Sequence, residues 1–199
     1  MVSGSFQAFD QTYLVDALER LGPGFVGVAQ LPSTVSDEEI LALDRAGVRA
    51  LRFNLHRGDG EFDEALALRA HALAGWHAEV YVDGRELAAI EDRLRALPRV
   101  SIDHLGMHAD GLPALLRLAR HGVKVKATGF GRVDLDVPSV LRTIAAVAPA
   151  ALLFGTDLPG TRARRAFERA DLDLVGEIAP AALADNALAW YRPPAYFPA

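Results

Sequence analysis

The stretch Ala151-Leu152-Leu153-Phe154-Gly155-Thr156-Asp157-Leu158-Pro159 decides how this chain reads. Apolar residues running into Gly-Thr-Asp predict a strand buried on both faces whose C-terminal end opens into free space. Gly155 and Thr156 are small, so a neighbour or ligand can approach the backbone there. Pro159 has no N–H to give to a sheet and ends the strand. A carboxylate closing an apolar strand is costly unless its charge is used. Two readings of Asp157 stand at this point: a turn former or helix N-cap, and a catalytic carboxylate at the mouth of a parallel sheet.

Outward from this strand, the same alternation fills the chain. Strands are predicted over 25–31, 48–55, 77–82, 99–105 and 123–127. Asp10 caps a helix through Arg20, Ser36 caps an acidic first turn of a helix that stops at Gly47, and further helices cover 62–74, 86–97, 112–121 and 137–147. After Asp157 come a helix from about Thr161 and a last one near 181–190. A repeat of about 25 to 30 residues is that of βαβ units, which implies right-handed connections and a parallel sheet.

An open doubly wound sheet and a (β/α)8 barrel both satisfy this order. No Gly-rich phosphate loop follows a strand; Gly129-Phe130-Gly131 leads into a polar loop. Polar residues gather instead at nearly every strand's C-terminal end: Asn54, His56 and Arg57; Tyr81 and Asp83; Asp103 and His104; Lys126 and Thr128; Asp157. Groups from many strands on one rim are what a barrel provides. The expected fold is therefore α/β, a (β/α)8 TIM-barrel type, incomplete, with about six of its eight parallel strands in a single domain over residues 1–199.

Composition narrows the function. The 199 residues carry a net charge of −5, which argues against nucleic acid or an anionic membrane as the main partner. The absence of cysteine removes disulfides, thiolate ligands and cysteine nucleophiles, and fits a cytoplasmic protein. No apolar run reaches membrane-spanning length, and Met1-Val2-Ser3-Gly4-Ser5 lacks the regions of a signal peptide. Arg162, Arg164, Arg165 and Arg169 are expected as a solvated basic face on the helix after Asp157. His71, His77 and His121 lie away from the rim and read as structural. Arg49 and Arg52 are three apart on one strand and so face opposite sides, one toward the barrel interior and one toward the helical shell.

Six segments together carry a resemblance. They are Gly47-Val48-Arg49-Ala50-Leu51-Arg52-Phe53-Asn54; Val80-Tyr81-Val82; Ile102-Asp103-His104-Leu105-Gly106; Val125-Lys126-Ala127-Thr128-Gly129-Phe130-Gly131-Arg132; Leu153 to Pro159; and Asp185-Asn186-Ala187-Leu188-Ala189-Trp190-Tyr191. In this combination the chain resembles the amidohydrolase superfamily, in the branch of the pyrone dicarboxylate lactonases. Ser5-Phe6-Gln7-Ala8-Phe9-Asp10 is similar to the stretch after that family's second strand.

The resemblance implies that Asp157 takes a proton from attacking water and that His104 polarises the scissile carbonyl, as in the lactonases, or binds metal, as in the metal-dependent relatives. It implies that Arg52, Arg132, Tyr81 and Ser5 hold substrate carboxylates and carbonyl oxygens, with Arg52 as the inward arginine. Guanidinium forks match carboxylates, and attack by water needs a base and an electrophile beside the carbonyl. The implied partner is a small-molecule carboxylate substrate.

Two departures accompany it. Met107 stands where the lactonases place a substrate-binding arginine. The family's His-x-His pair on the first strand has no counterpart, so the chain is expected to hold strands three to eight with the tail of the second. His104 and Asp157 then supply two donors, whereas a catalytic zinc takes about three protein ligands plus water. No metal or other cofactor is expected; a divalent metal such as zinc would enter only with an upstream His-x-His. Open parallel edges would offer a second copy a pairing surface, giving a homo-oligomer, and Tyr191 to Ala199 could cover part of such an opening or simply be a loose tail. A metal-dependent decarboxylase or hydrolase of the same superfamily, and an inactive truncated barrel, remain open as alternatives.

Overall fold

In the computed structural model, which describes residues 1–4, 6–56 and 61–191, strand and helix alternate as the apolar spacing predicts. Among the described residues six strands run parallel, in the α/β class and the incomplete (β/α)8 type expected. Contacts group the chain into two units, Met1–Tyr81 with Ala96–Val100, and Val82–Arg95 with the residues from Ser101 onward. Ser5, Arg57 and the stretch after Tyr191, with Pro193, Pro194 and Pro198, lie outside the described residues.

In the first unit β1 (Gly27–Ala29), β2 (Val48–Asn54) and β3 (His77–Tyr81) pair in that order, with Ala50 opposite both Val28 and His77. Val2 adds a parallel bridge to Val28, whose N–H donates to Met1 O at 2.8 Å while Ser3 N–H donates to Val28 O at 2.8 Å.

Helix α1 (Thr12–Leu21) buries Leu14 and Leu18, each stabilising the unit by roughly 1.5–3 kcal/mol. Helix α2 (Asp37–Arg45) begins at a reciprocal capping box between Ser36 and Glu39. Helix α3 (Glu64–Ala74) begins where Asp63 accepts from Leu66 N–H at 2.9 Å, and ends at Gly75. The two arginines of β2 part as their spacing requires. Arg49 bonds Asp44 at the end of α2, a carboxylate that also accepts from Trp76 Nε1, while Arg52 meets Glu79 on the neighbouring strand.

In the second unit Ser101 and Ile102 of β4 (Val100–Ile102) pair with β5 (Lys124–Ala127), which pairs with β6 (Leu152–Phe154). The helices are α4 (Leu87–Ala96), whose last residue falls in the first unit, α5 (Leu112–Arg120), α6 (Val137–Val147), α7 (Arg169–Ile178) and α8 (Asp185–Tyr191). Asn186 clamps α8 to β6, its amide donating to Pro149 O at 2.9 Å and Leu152 O at 2.8 Å.

Several boundaries differ from the sequence expectation. The strand predicted over 25–31 narrows to Gly27–Ala29, and the last helix begins only at Asp185. Three further differences fall where the chain leaves β4 and β6. The strand predicted over 99–105 ends at Ile102, because His104 and Leu105 turn to φ +50° and +52°. The quoted strand ends at Phe154, and Asp157 sits beyond it at φ +57°. The helix expected from Thr161 starts only at Arg169. Arg162 at φ +68° cannot be helical, and Asp171 caps the helix by accepting from Glu168 N–H at 3.0 Å. Arg162, Arg164 and Arg165 therefore form no helical face. Arg164 donates to Val133 O, Arg165 grips both oxygens of Asp171, and Arg169 alone lies on α7, paired with Asp173. No helix among the described residues is long and apolar enough to cross a membrane.

Candidate active site

The second unit gathers its chemistry around the turn that leaves β5. Gly129 (φ +62°) presses against the imidazole of His104: a Cβ there would lie 2.6 Å from Nδ1, so only glycine lets the chain pass this close. The same ring nitrogen meets Thr128 Oγ1 at 2.8 Å, and His104 is 6% exposed. Arg132 N–H closes the turn on Gly129 O at 2.8 Å, and the arginine's Nε donates to Asp157 Oδ2. One turn thus contacts His104 at its start and engages Asp157 at its end.

The loop bearing Asp157 is fastened to the same turn. Gly131 lies against the backbone of Arg165 with no room for a Cβ, and Gly131 O accepts from Arg164 N–H at 2.8 Å. Arg165 in turn holds Asp171 through two bonds of 2.8 and 2.6 Å. Burial pushes the Asp171 carboxyl up, but the Arg165 bonds and charge and the Glu168 N–H outweigh it and hold the group below the usual carboxylate range. Asp157, one-fifth exposed at its side chain, lines a small cavity with Gly129, Gly131, Gly155 and Arg165.

Beside His104, Lys126 Nζ lies 3.0 Å from Asp103 Oδ1, with both residues buried. Of the predicted residues, Asp157, His104 and Arg132 are thus brought together in this unit. Thr128 was read only as a polar rim residue, and its contact with His104 was not foreseen.

The first unit holds Arg52 and Tyr81, also buried. The Arg52 guanidinium carbon lies 5.1 Å from the Tyr81 ring centre, its Nε 3.8 Å from Glu79 Oε1, and its Nη1 donates to Ser3 O at 3.4 Å. Tyr81 also contacts the exposed ring of His56, with centroids 4.9 Å apart. Glu79 was missed, although a carboxylate inside His-Ala-Glu-Val-Tyr is the kind of costly burial that signals a partner. Ser5 lies outside the described residues. Among those residues no group of three or more His, Asp or Glu side chains is placed to hold a metal.

Parallel strands of the (β/α)8 type, with acid, imidazole and guanidinium where the chain leaves the strands' C-terminal ends, are the equipment of a barrel-type hydrolase. The chain belongs to the amidohydrolase family, whose model matches residues 1–192. It is 27% identical over 229 residues to a 2-pyrone-4,6-dicarboxylate hydrolase of Comamonas testosteroni, covering 97% of this chain and 75% of that one. It is 28% identical over 172 residues to a 4-sulfomuconolactone hydrolase of Hydrogenophaga intermedia, covering 75% of this chain and 56% of that one. This chain thus spans three quarters of one relative's length and just over half of the other's.

Solved structures share the fold. A probable 2-pyrone-4,6-dicarboxylic acid hydrolase of Acinetobacter baumannii with citric acid bound superposes with a TM-score of 0.79 at 18% identity, over 96% of this chain and 81% of that one. An apo protein of Agrobacterium tumefaciens does so with a TM-score of 0.82 at 23% identity, over 96% and 79%.

Proposed function

We propose that this chain hydrolyses a carboxylate-bearing lactone or related cyclic carbonyl compound by attack of water. The observation that carries the proposal is the Gly129–Arg132 turn, in contact with His104 and ion-paired through Arg132 to Asp157. The lactone-hydrolase relatives support the same reading.

In this mechanism Asp157 accepts a proton from water as its oxygen bonds to the carbonyl carbon. A general base of this kind contributes about 10²–10⁴-fold. His104, with Nδ1 engaged by Thr128, directs Nε2 to the developing oxyanion. The ring C–O bond then breaks, and the proton held by Asp157 passes to the leaving oxygen, giving an open-chain hydroxy acid or its keto tautomer. Arg132 orients Asp157 through Nε and presents its Nη edge to a substrate carboxylate. Arg52, Tyr81 and Ser5 keep the substrate-holding roles that the family resemblance implies. The scheme assigns no step to a metal.

The test is ring opening followed by ultraviolet absorbance, with 2-pyrone-4,6-dicarboxylate and 4-sulfomuconolactone each offered to the purified chain. Turnover of either, lost in Asp157→Asn, supports the reading. Equal turnover in Asp157→Asn, or none by the native chain on any carboxylate-bearing lactone, overturns it.

A further inference from the structure

We infer that Lys126 and Asp103 act as a pair of positioning residues that set the His104 imidazole. The inference deepens the proposed hydrolysis and rests on that reading for its kinetic consequence.

The placement follows from the strand register. Ser101 lies opposite Lys124 and Ile102 opposite Val125, so one further residue brings Asp103 beside Lys126. Lys124 and Lys126 share a face of β5, yet they part in role. Lys124 Nζ donates to Ala150 O at 2.7 Å and lies over the Trp190 ring, whereas Lys126 is buried with its ammonium 3.0 Å from Asp103 Oδ1.

Asp103 is the last extended residue before an unusual stretch. His104, Leu105, Gly106 and Met107 all take positive φ, at +50°, +52°, +73° and +68°. Non-glycine residues hold such angles only where their surroundings dictate them, and they concentrate at functional sites. Asp103 stands where a helix cap would, but its carboxylate makes no capping bond. It faces Lys126 instead. The ion pair therefore fastens the strand end from which the histidine hangs, while Thr128, two residues beyond Lys126, meets the histidine ring itself. One short run, Lys126-Ala127-Thr128-Gly129, thus controls His104 at three points: its backbone root, its Nδ1 and the Nδ1–Cε1 side of the ring that Gly129 crowds.

The experiment compares Lys126→Met, Asp103→Asn, Lys126→Arg and the control Lys124→Met in the full chain. Readouts are kcat, KM, melting temperature and the ¹H–¹⁵N correlations of the His104 ring. Lys126→Met should lower kcat about 10- to 100-fold, the cost of a misplaced catalytic group, with little change in KM, and should move the ring correlations. Lys126→Arg should restore both in large part, and Lys124→Met should move neither.

If Lys126→Met does not fold, the nearly isosteric Asp103→Asn carries the same expectation. Ring correlations unmoved in folded Lys126→Met or Asp103→Asn would overturn the inference, whatever the activity. The ring signals need no substrate, so a native chain inactive on lactones would defeat the proposed reaction while this inference stood or fell separately.

Discussion

Arg132 donates its Nε hydrogen to Oδ2 of Asp157, tying the turn after β5 to the loop after β6. Both side chains are mostly buried, at 13% and 20% exposure, so water screens the contact little. The arginine fixes the direction in which the carboxylate faces, which a general base requires.

Replacing the two partners separates their duties. Asp157→Asn keeps the shape and removes the proposed base, and it should lower kcat by about 10²–10⁴-fold with KM largely kept. Arg132→Lys retains a charge but loses the planar fork, and it should raise KM as well as lower kcat. Steady-state kinetics on the lactone that the native chain turns over checks both.

A pair of glycine substitutions tests the packing on His104. Gly129→Ala would place a methyl 2.6 Å from the imidazole on a backbone at φ +62°, so it should cost stability of the order of 1–3 kcal/mol and disable the site. Gly176→Ala lies inside α7, where the added carbon would sit at an ordinary 3.6 Å from Leu183 Cδ1. It should stabilise the protein by roughly 0.5–1 kcal/mol and leave turnover alone. Denaturant melts and initial rates measure both.

Stability at low pH should follow two carboxylates. Hydrogen bonds from Arg117 hold Glu91 below the usual carboxylate range, and Arg165 with Glu168 N–H does the same for Asp171 against the effect of burial. With the folded value depressed, protons bind the unfolded chain more readily. The contribution is whole above the unfolded values of about 4 and disappears as the pH falls through the folded ones. The free energy of unfolding should drop on this acid limb. Glu91→Gln should be less stable at pH 7 with a flatter limb; an unchanged slope in Glu91→Gln and Asp171→Asn would exclude these groups as the cause.

Much of this architecture is legible in the residues. Ser36 with Glu39, and Gly75 after an apolar helix, mark helix ends through local bonds, and such signals survive folding. That Arg49 and Arg52 part to opposite faces of their strand follows from parity and is present, Arg52 toward Glu79 and Arg49 toward Asp44, whereas the choice of Arg52 as the inward one came from the family resemblance. What the sequence hides is non-local. Arg165 reads as part of a helix until Asp171 and Gly131 are seen to hold it in a loop, and His104 reads as a strand residue until its positive φ is known. Thr128 could be placed near the rim, but its contact with His104 spans two strands. A lone Glu79 in an apolar strand shows that a partner must exist without naming it.

That partner includes Arg52, which lies directly opposite in the register of β2 and β3. Glu79 is fully buried, with the Arg52 Nε 3.8 Å from Oε1 and the guanidinium carried on to the Tyr81 ring. Taking one charge from a buried pair leaves the other in a poorly solvating place, typically at about 3–5 kcal/mol. Arg52→Met should therefore destabilise the chain by an amount of that order, and Glu79→Gln, which keeps the shape, by less. The double variant should recover part of the Arg52→Met loss, because no carboxylate then remains to be compensated. Chemical denaturation of the four proteins closes the cycle. Losses that simply add would mean that Arg52 and Glu79 act independently, and that Arg52 is held in place by its other contacts, among them the Tyr81 ring and Ser3 O.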